Sequence, residues 1–319
     1  MGYRLTQDES IPIGMRRVAR EEIDSAVAQL GETDKAKADE AVHEARKSVK
    51  KLRGAIRLLM PGLGEAGERD NIALRDVGRA LSDFRDAAAL IETVDHLKAR
   101  YPEDPSAAEL PEVRAALVTL RDQAEKESNP EVAAANAVRT LRSFRRRLNR
   151  WDIGADGFSA IEPGLRATYR RGRKALERAQ KDAIPENFHE LRKRVKDRWY
   201  HTRLLEDLWA NALGCPENDL KQLQEWLGDD HNLAMLRERV AAGSAVAALI
   251  ARCQAELREN SLSLAAILYK EKPRVFARGV RHLWDAWPGR PQAMKELEAP
   301  PRKRAKPVTS ARKTSRSAA

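Results

Sequence analysis

The sequence has 319 residues, of which 42% are hydrophobic and 34% charged, and its formal net charge is +11. That length exceeds one average domain, and the small aromatic content favours amphipathic helices over sheets. Seven positive charges lie after Glu298, where no acidic residue occurs, so the preceding part carries a net charge of only +4. Net charge therefore does not indicate a basic body, and a basic site must come from segregation of charges onto one face.

The sequence lacks the marks of secreted and membrane proteins. Cys215 and Cys253 form neither a CxxC pair nor a disulfide framework, which favours a reducing compartment. No run reaches the roughly 18 apolar residues of a membrane-spanning helix, and the first residues do not resemble a signal peptide. We therefore expect a cytoplasmic protein that does not bind membranes.

In chain order, a period of about 3.6 residues predicts helix over nearly the whole body, and strand-like alternation is absent. Residues 300–319, rich in Pro, Lys, Arg, Ser and Ala, are predicted to be disordered. The pattern predicts an all-α fold. Pro and Gly mark the predicted breaks between helices, at Pro61-Gly62, Pro102 to Pro111, Pro130, 154–164, Pro185, 214–216, Gly243, Pro273 and Pro288.

An internal repeat relates the two halves of the chain. The segment 43–50 (HEARKSVK) returns at 189–196 (HELRKRVK), an offset of 146, and the same offset aligns Leu81 with Leu227. We therefore predict two homologous helical bundles. Their limits are an N-terminal extension 1–13, a first repeat 14–151, a linker 152–162, a second repeat 163–289 and a basic tail 290–319.

Positive charge gathers on one face of each repeated helix. At about 100° per residue, the basic residues lie within an arc of about 120° opposite the apolar residues. Neither arc contains an acidic residue, so like charges repel along about 21 Å of helix unless an anion neutralises them. We call these arcs the first and second basic ladders: His43, Arg46, Lys47, Lys50, Arg53 and Arg57, and His189, Arg192, Lys193, Lys196 and Arg203. In the second ladder, Trp199 takes the place of Arg53.

A row of cations along a helix matches a linear array of phosphates. Arg binds phosphate oxygens in pairs, and Lys supplies a mobile point charge. A single phosphate would call for a glycine-rich loop at a helix N-terminus, and neither a P-loop nor a strand-linked GxGxxG motif is present. The ladders therefore predict non-catalytic binding of a long, unbranched polyanion.

Other residues are predicted to add to this site. His43 and His189 are each expected to donate to a phosphate oxygen and to charge more readily beside it. Both copies also carry two arginines upstream of the ladders, and we include these as candidates: Arg16, Arg20, Arg166 and Arg170.

A further repeated segment contains Asp83 and Asp229. Each is expected to pair with ladder cations and orient them, while Arg85 and His231 at matching positions add donors. Because a cation does not ligate a metal, Arg85 at the position of His231 argues against a metal site, and neither a metal nor a cofactor is expected.

These features together resemble the CHAD family, the conserved histidine α-helical domain. The resemblance rests on the two His-Glu-x-Arg-Lys-x-Val-Lys helices, the Leu-Ser/Gly-Asp segments, and Trp284 with Trp287, over about residues 10–290. It implies two four-helix-type bundles related by a pseudo-twofold axis around a central basic channel. It also implies inorganic polyphosphate as the partner, contacted by both ladders, and association with polyphosphate granules. No ExExK strand motif occurs, so an attached triphosphatase is not expected.

Two other functions stay open. The basic tail resembles histone-like tails and would give salt-sensitive, nonspecific binding of nucleic acid, although the ladders carry no recognition helix or stacking platform. Phosphate transfer or hydrolysis would need a carboxylate-bound Mg²⁺, for which Asp83, Asp229, Asp230 and His231 form the one plausible cluster.

Overall fold

The computed structural model describes residues 2–32, 38–81, 86–127, 130–209 and 216–287. Within these ranges the chain forms ten α-helices and no β-strand, which confirms the all-α prediction. The helices are α1 (Ile11–Leu30), α2 (Ala38–Ala80), α3 (Asp86–Arg100), α4 (Leu110–Glu127), α5 (Pro130–Arg147), α6 (Phe158–Lys181), α7 (Pro185–Leu204), α8 (Glu217–Arg237), α9 (Ala245–Leu268) and α10 (Pro273–Asp285). The residues after 287, including the tail predicted to be disordered, lie outside the described ranges.

Several helices begin at a predicted break. Pro130, Pro185 and Pro273 each occupy the first position of a helix, where the missing N–H has no helical partner to lose. The break predicted over 154–164 is too long, because α6 begins at Phe158 and carries Pro163 within it. Pro163 is the sixth residue of α6, so the helix lacks the hydrogen bond that an N–H at this position would donate to the Ser159 carbonyl oxygen.

Helix α2 folds back on itself. The break predicted at Pro61-Gly62 falls instead at Gly64, whose φ of 52° and ψ of −136° are not helical and suit a residue without a Cβ. The arms 38–63 and 65–80 then run antiparallel, since Gly78 packs against Val49 and Arg53 Nε donates to Asn71 Oδ1 at 3.2 Å. The second arm therefore lies beside the first basic ladder.

Three clusters of buried apolar side chains hold the helices together. One joins α1, α2 and α5 to the start of α6 and the end of α10, around Phe144 and Trp284. Another joins α3 and α4 to α8 and α9, around Leu110 and Ile250. The last joins α6, α7 and α8 to the end of α9. Helices from both repeats share the first two of these cores, and the predicted domain limits and separate bundles stay predictions.

The helices that carry the ladders pack closely against each other at Gly54. A Cβ at Gly54 of α2 would lie 2.8 Å from the Cβ of Tyr200 in α7. The Nε2–H of buried His201 donates to the Gly54 carbonyl oxygen at 3.0 Å, because a carbonyl can only accept. On the other side, a Cβ at Gly164 of α6 would overlap the carbonyl oxygen of Leu58. Helix α2 is thus held closely between α6 and α7.

Candidate functional site

A cavity of about 530 Å³ lies between the two arms of α2 and helix α7. We call it the basic cavity. Its walls hold members of both ladders, so the structure brings the two repeated helix faces onto one space. Its charged lining residues and His189 are Arg46, Lys50, Arg53, Arg57, Arg75, Arg79, His189, Glu190, Lys193, Arg194, Lys196 and Asp197.

Lys50 and Lys196 occupy matching positions of the repeat and interact across this cavity. Burial, followed by the neighbouring Arg46 and Arg192 guanidinium groups, lowers the pKa of Lys50 to about 8. Burial lowers the pKa of Lys196 as well, and Lys50 is its strongest charged neighbour. Neither ammonium group forms an ion pair within the described ranges. Two like charges held together in this way are costly in the absence of an anion.

Carboxylates neutralise part of the ladders, which the absence of acids from the two arcs did not predict. Asp197, only 1% exposed, forms an ion pair with Arg57 of the first ladder and lies 3.4 Å from Arg194. Glu190 lies 3.6 Å from Lys193. Side chains from the helix flanks thus reach into the basic face, because long side chains cover neighbouring arcs. Lys50 and Lys196, together with Arg75 and Arg79 from the second arm of α2, leave the cavity with a net positive charge.

The two site histidines predicted in the second repeat, His189 and His231, lie together. The ring centroids of His189 and His231 are 4.4 Å apart, and His189 lines the basic cavity. Burial, Arg192 and His189 lower the pKa of His231 to about 4. Burial and Lys193 lower the pKa of His189. Both rings are therefore neutral near pH 7 in the absence of an anion, and each has one N–H to donate.

Several predicted residues lie elsewhere. Arg16 Nη2 donates to the Trp151 carbonyl oxygen at 2.6 Å, and Arg20 Nη2 to Asn149 Oδ1 at 2.5 Å. Exposed Arg166 and Arg170 on α6 do not line the basic cavity. The role of these four arginines in anion binding stays a prediction.

Some residues towards the ends of the ladders also do not line the cavity. His43 is not among its lining residues, and exposed Lys47 pairs with Glu44 at 2.6 Å. Arg203 lies over the Trp199 ring and 3.6 Å from Glu217.

Three further predictions concern residues that do not line the cavity or that lie outside the described ranges. Arg192 is not a lining residue of the cavity, but it is half-buried and close enough to lower the pKa values of Lys50 and Lys196. Burial raises the pKa of Asp229, and Arg192 is among its charged neighbours, but within the described ranges Asp229 forms no ion pair with a ladder cation, so its orienting role stays a prediction. Arg85 and Asp83 lie outside the described ranges.

Sequence reasoning missed Arg75, Arg79 and Arg194 on the cavity wall. The counterpart of Arg194 in the repeat is Ser48, and the counterparts of Arg75 and Arg79 are Lys221 and Glu225, so only Arg75 has a cation at the matching position. Lys221 and Glu225 are separated by 3.9 Å on α8 and are largely self-neutralised. A reading of the second arm of α2 alone, with Arg75 and Arg79 four residues apart, would have found them.

Two general features of the described helices bear on function. None combines the length and apolar character that a bilayer-crossing segment requires. In the same ranges no three His, Cys, Asp or Glu side chains come close enough to form a metal site.

The CHAD domain family model matches residues 17–241. This match spans more than half of the chain and includes both ladders, so the chain belongs to the CHAD domain family. No curated protein matches the chain.

Proposed function

We propose, from membership of the CHAD domain family, that the basic cavity binds inorganic polyphosphate without chemical change. Membership of this family implies inorganic polyphosphate as the ligand. The observation that carries the proposal is that Lys50 and Lys196 line the same cavity and that the pKa values of both ammonium groups are lowered. A polyanion between these ammonium groups would replace their repulsion by attraction.

The arrangement fits a chain better than a single phosphate. Cations extend along the cavity from Arg46 to Arg57 in α2 and from His189 to Lys196 in α7. A linear phosphate chain repeats its charge at short intervals and can contact both rows at once. Binding of this kind releases counterions and weakens as salt increases. Association with polyphosphate granules in the cytoplasm would follow from such binding.

The direct test is isothermal titration with polyphosphates of several lengths. Affinity should rise with chain length until the cavity is filled, and it should fall in Lys50→Ala/Lys196→Ala. A matched control is Lys98→Ala/Lys126→Ala, which removes the same charge from exposed lysines of α3 and α4. Equal affinity of the two double variants, or no dependence on chain length, would exclude the cavity as the binding site.

Nucleic acid is the second candidate, because the basic residues after Glu298 would attract any phosphate polymer. The experiment is competition on a chain that ends at Pro300. If duplex DNA displaces long polyphosphate from it, nucleic acid is the preferred ligand.

We propose that the protein is not an enzyme. Hydrolysis would require Mg²⁺ bound by carboxylates beside the phosphates. Shortening of polyphosphate during incubation with Mg²⁺, abolished by Asp229→Asn, would overturn this proposal.

A further inference from the structure

A second cavity, of about 510 Å³, lies on the other side of the second arm of α2. Its residues come from that arm and from the chain segment at the end of α5. We call it the arginine pocket, and its lining residues are Ala66, Arg69, Asp70, Ala73, Arg147, Arg150 and Trp151. It shares none of them with the basic cavity.

The two cavities use opposite faces of one short helix. At about 100° per residue, positions 66, 69, 70 and 73 lie on one face of the arm, and positions 75, 78 and 79 lie on the opposite face. The first set lines the arginine pocket and the second lines the basic cavity. An anion in one cavity therefore does not fill the other.

Asp70, the acidic residue that lines the arginine pocket, accepts hydrogen bonds at both of its carboxylate oxygens. Asp70 is buried, and its Oδ1 accepts from Arg147 Nε at 3.1 Å and Nη2 at 2.8 Å. Its Oδ2 accepts from Trp151 Nε1 at 3.2 Å. Arg147 also donates from Nη1 to Ser143 Oγ at 2.9 Å. The Asp70 charge is thus balanced by Arg147, and that guanidinium is held in a fixed place on the wall.

Arg69 and Arg150 supply the excess positive charge. Both are exposed, and neither forms an ion pair or a side-chain hydrogen bond in the part of the chain that the structure describes. They approach the pocket from different elements, α2 and the turn after α5. Two such guanidinium groups can hold phosphate oxygens from two sides.

We propose that the arginine pocket binds a second segment of phosphate chain, so that one protein molecule bridges two segments. The proposal rests on polyphosphate binding in the basic cavity and extends it. The pocket does not suit bases of nucleic acid, because Trp151 is only 3% exposed and offers no ring face for stacking. Its remaining surface is the methyl groups of Ala66 and Ala73, which cannot read a base edge.

Titration of the full chain with tripolyphosphate tests the proposal through the number of sites. Wild type should bind at two sites, and Arg69→Ala/Arg150→Ala should retain one, with the affinity of the other reduced about tenfold or more. Arg274→Ala/Arg278→Ala is the control, since it removes two exposed arginines of α10 and leaves both cavities intact. Lys50→Ala/Lys196→Ala should keep the arginine-pocket site alone.

The outcomes separate the two proposals. If Arg69→Ala/Arg150→Ala binds as the α10 control does, the arginine pocket is not a site. If the lysine variant matches wild type while the arginine variant loses a site, the basic cavity fails and the bridging proposal fails with it. Single-stranded DNA that binds the arginine pocket more tightly than tripolyphosphate would also overturn the proposal. Bridging itself predicts that long polyphosphate makes wild type turbid at concentrations where the arginine variant stays clear.

Discussion

The charged form of Lys50 destabilises the free protein but favours the binding of an anion. Its pKa is lowered from 10.5 to about 8, first by burial and then by Arg46 and Arg192. Since the folded-state pKa lies below the unfolded value, the free protein gains stability as pH rises from about 8 towards 10.5. Below that range the charged ammonium opposes folding. A bound anion removes this cost, because it favours the charged form that the empty cavity disfavours.

This linkage predicts a pH dependence of binding. Only protonated Lys50 attracts the anion, so above about pH 8 binding must take up a proton and affinity should fall. The decrease should be at most about tenfold per pH unit for each proton taken up. Titrations between pH 7 and 9 measure it, and Lys50→Arg should flatten the profile because its guanidinium stays charged. Identical profiles for the two proteins would contradict this role of Lys50.

Asp197 makes an ion pair between the two ladder helices, which we expect to stabilise the fold. It is buried and pairs with Arg57 of the other repeat. Asp197→Asn should lower the free energy of unfolding by about 3 kcal/mol, because an unpaired guanidinium is left partly buried. A double-mutant cycle with Arg57→Gln, followed by urea denaturation, should give a coupling of about 1 kcal/mol or more.

The exposed pair Arg100 and Glu256, 2.6 Å apart, provides the comparison. Its cycle should give less than about 1 kcal/mol. Additive effects of Asp197→Asn and Arg57→Gln would mean that the pair does not join the ladders.

At the scale of helices, equivalent positions of the repeat meet different surroundings. A Cβ at Gly164 would overlap the backbone of α2 at Leu58, whereas one at Gly14 would meet the side chains of Glu9 and Leu5. Side chains can rotate away and a packed helix backbone cannot. We therefore expect Gly164→Ala to cost about 1–3 kcal/mol and Gly14→Ala distinctly less.

Thermal unfolding of the two variants measures this difference. Gly164→Ala should also weaken polyphosphate binding, because Leu58 is next to Arg57 on the cavity wall. Equal melting temperatures for the two variants would show that α6 does not set the position of α2.

Features that depend on local sequence could be predicted, whereas features that depend on tertiary packing could not. Helical periodicity and the repeat locate α2 and α7, and the positions of Lys50 and Lys196 follow from them. The turn at Gly64 could not be read, because Pro61-Gly62 is the stronger break signal and its effect depends on tertiary packing. Pairing of Asp197 with Arg57 also depends on how two helices cross, and spacing within one helix does not report this.

For the whole molecule, the two repeats act together. Helices α3 and α4 share a buried cluster with α8 and α9, and α2 lies between α6 and α7. Because these helices pack together, residues of both ladders line one cavity, and each repeat supplies part of its walls. The positive charge of the site thus comes from local gathering of cations, in a chain whose part before residue 299 has a net charge of only +4.

The salt dependence of polyphosphate affinity tests this account most directly. Each ammonium group that neutralises a phosphate contributes about 0.7 to the slope of log affinity against log salt for a single-stranded polyanion. At pH 7 the slope of Lys50→Ala/Lys196→Ala should therefore be shallower than that of wild type by about 1.4. The account is contradicted if this variant keeps the slope and the affinity of Lys98→Ala/Lys126→Ala.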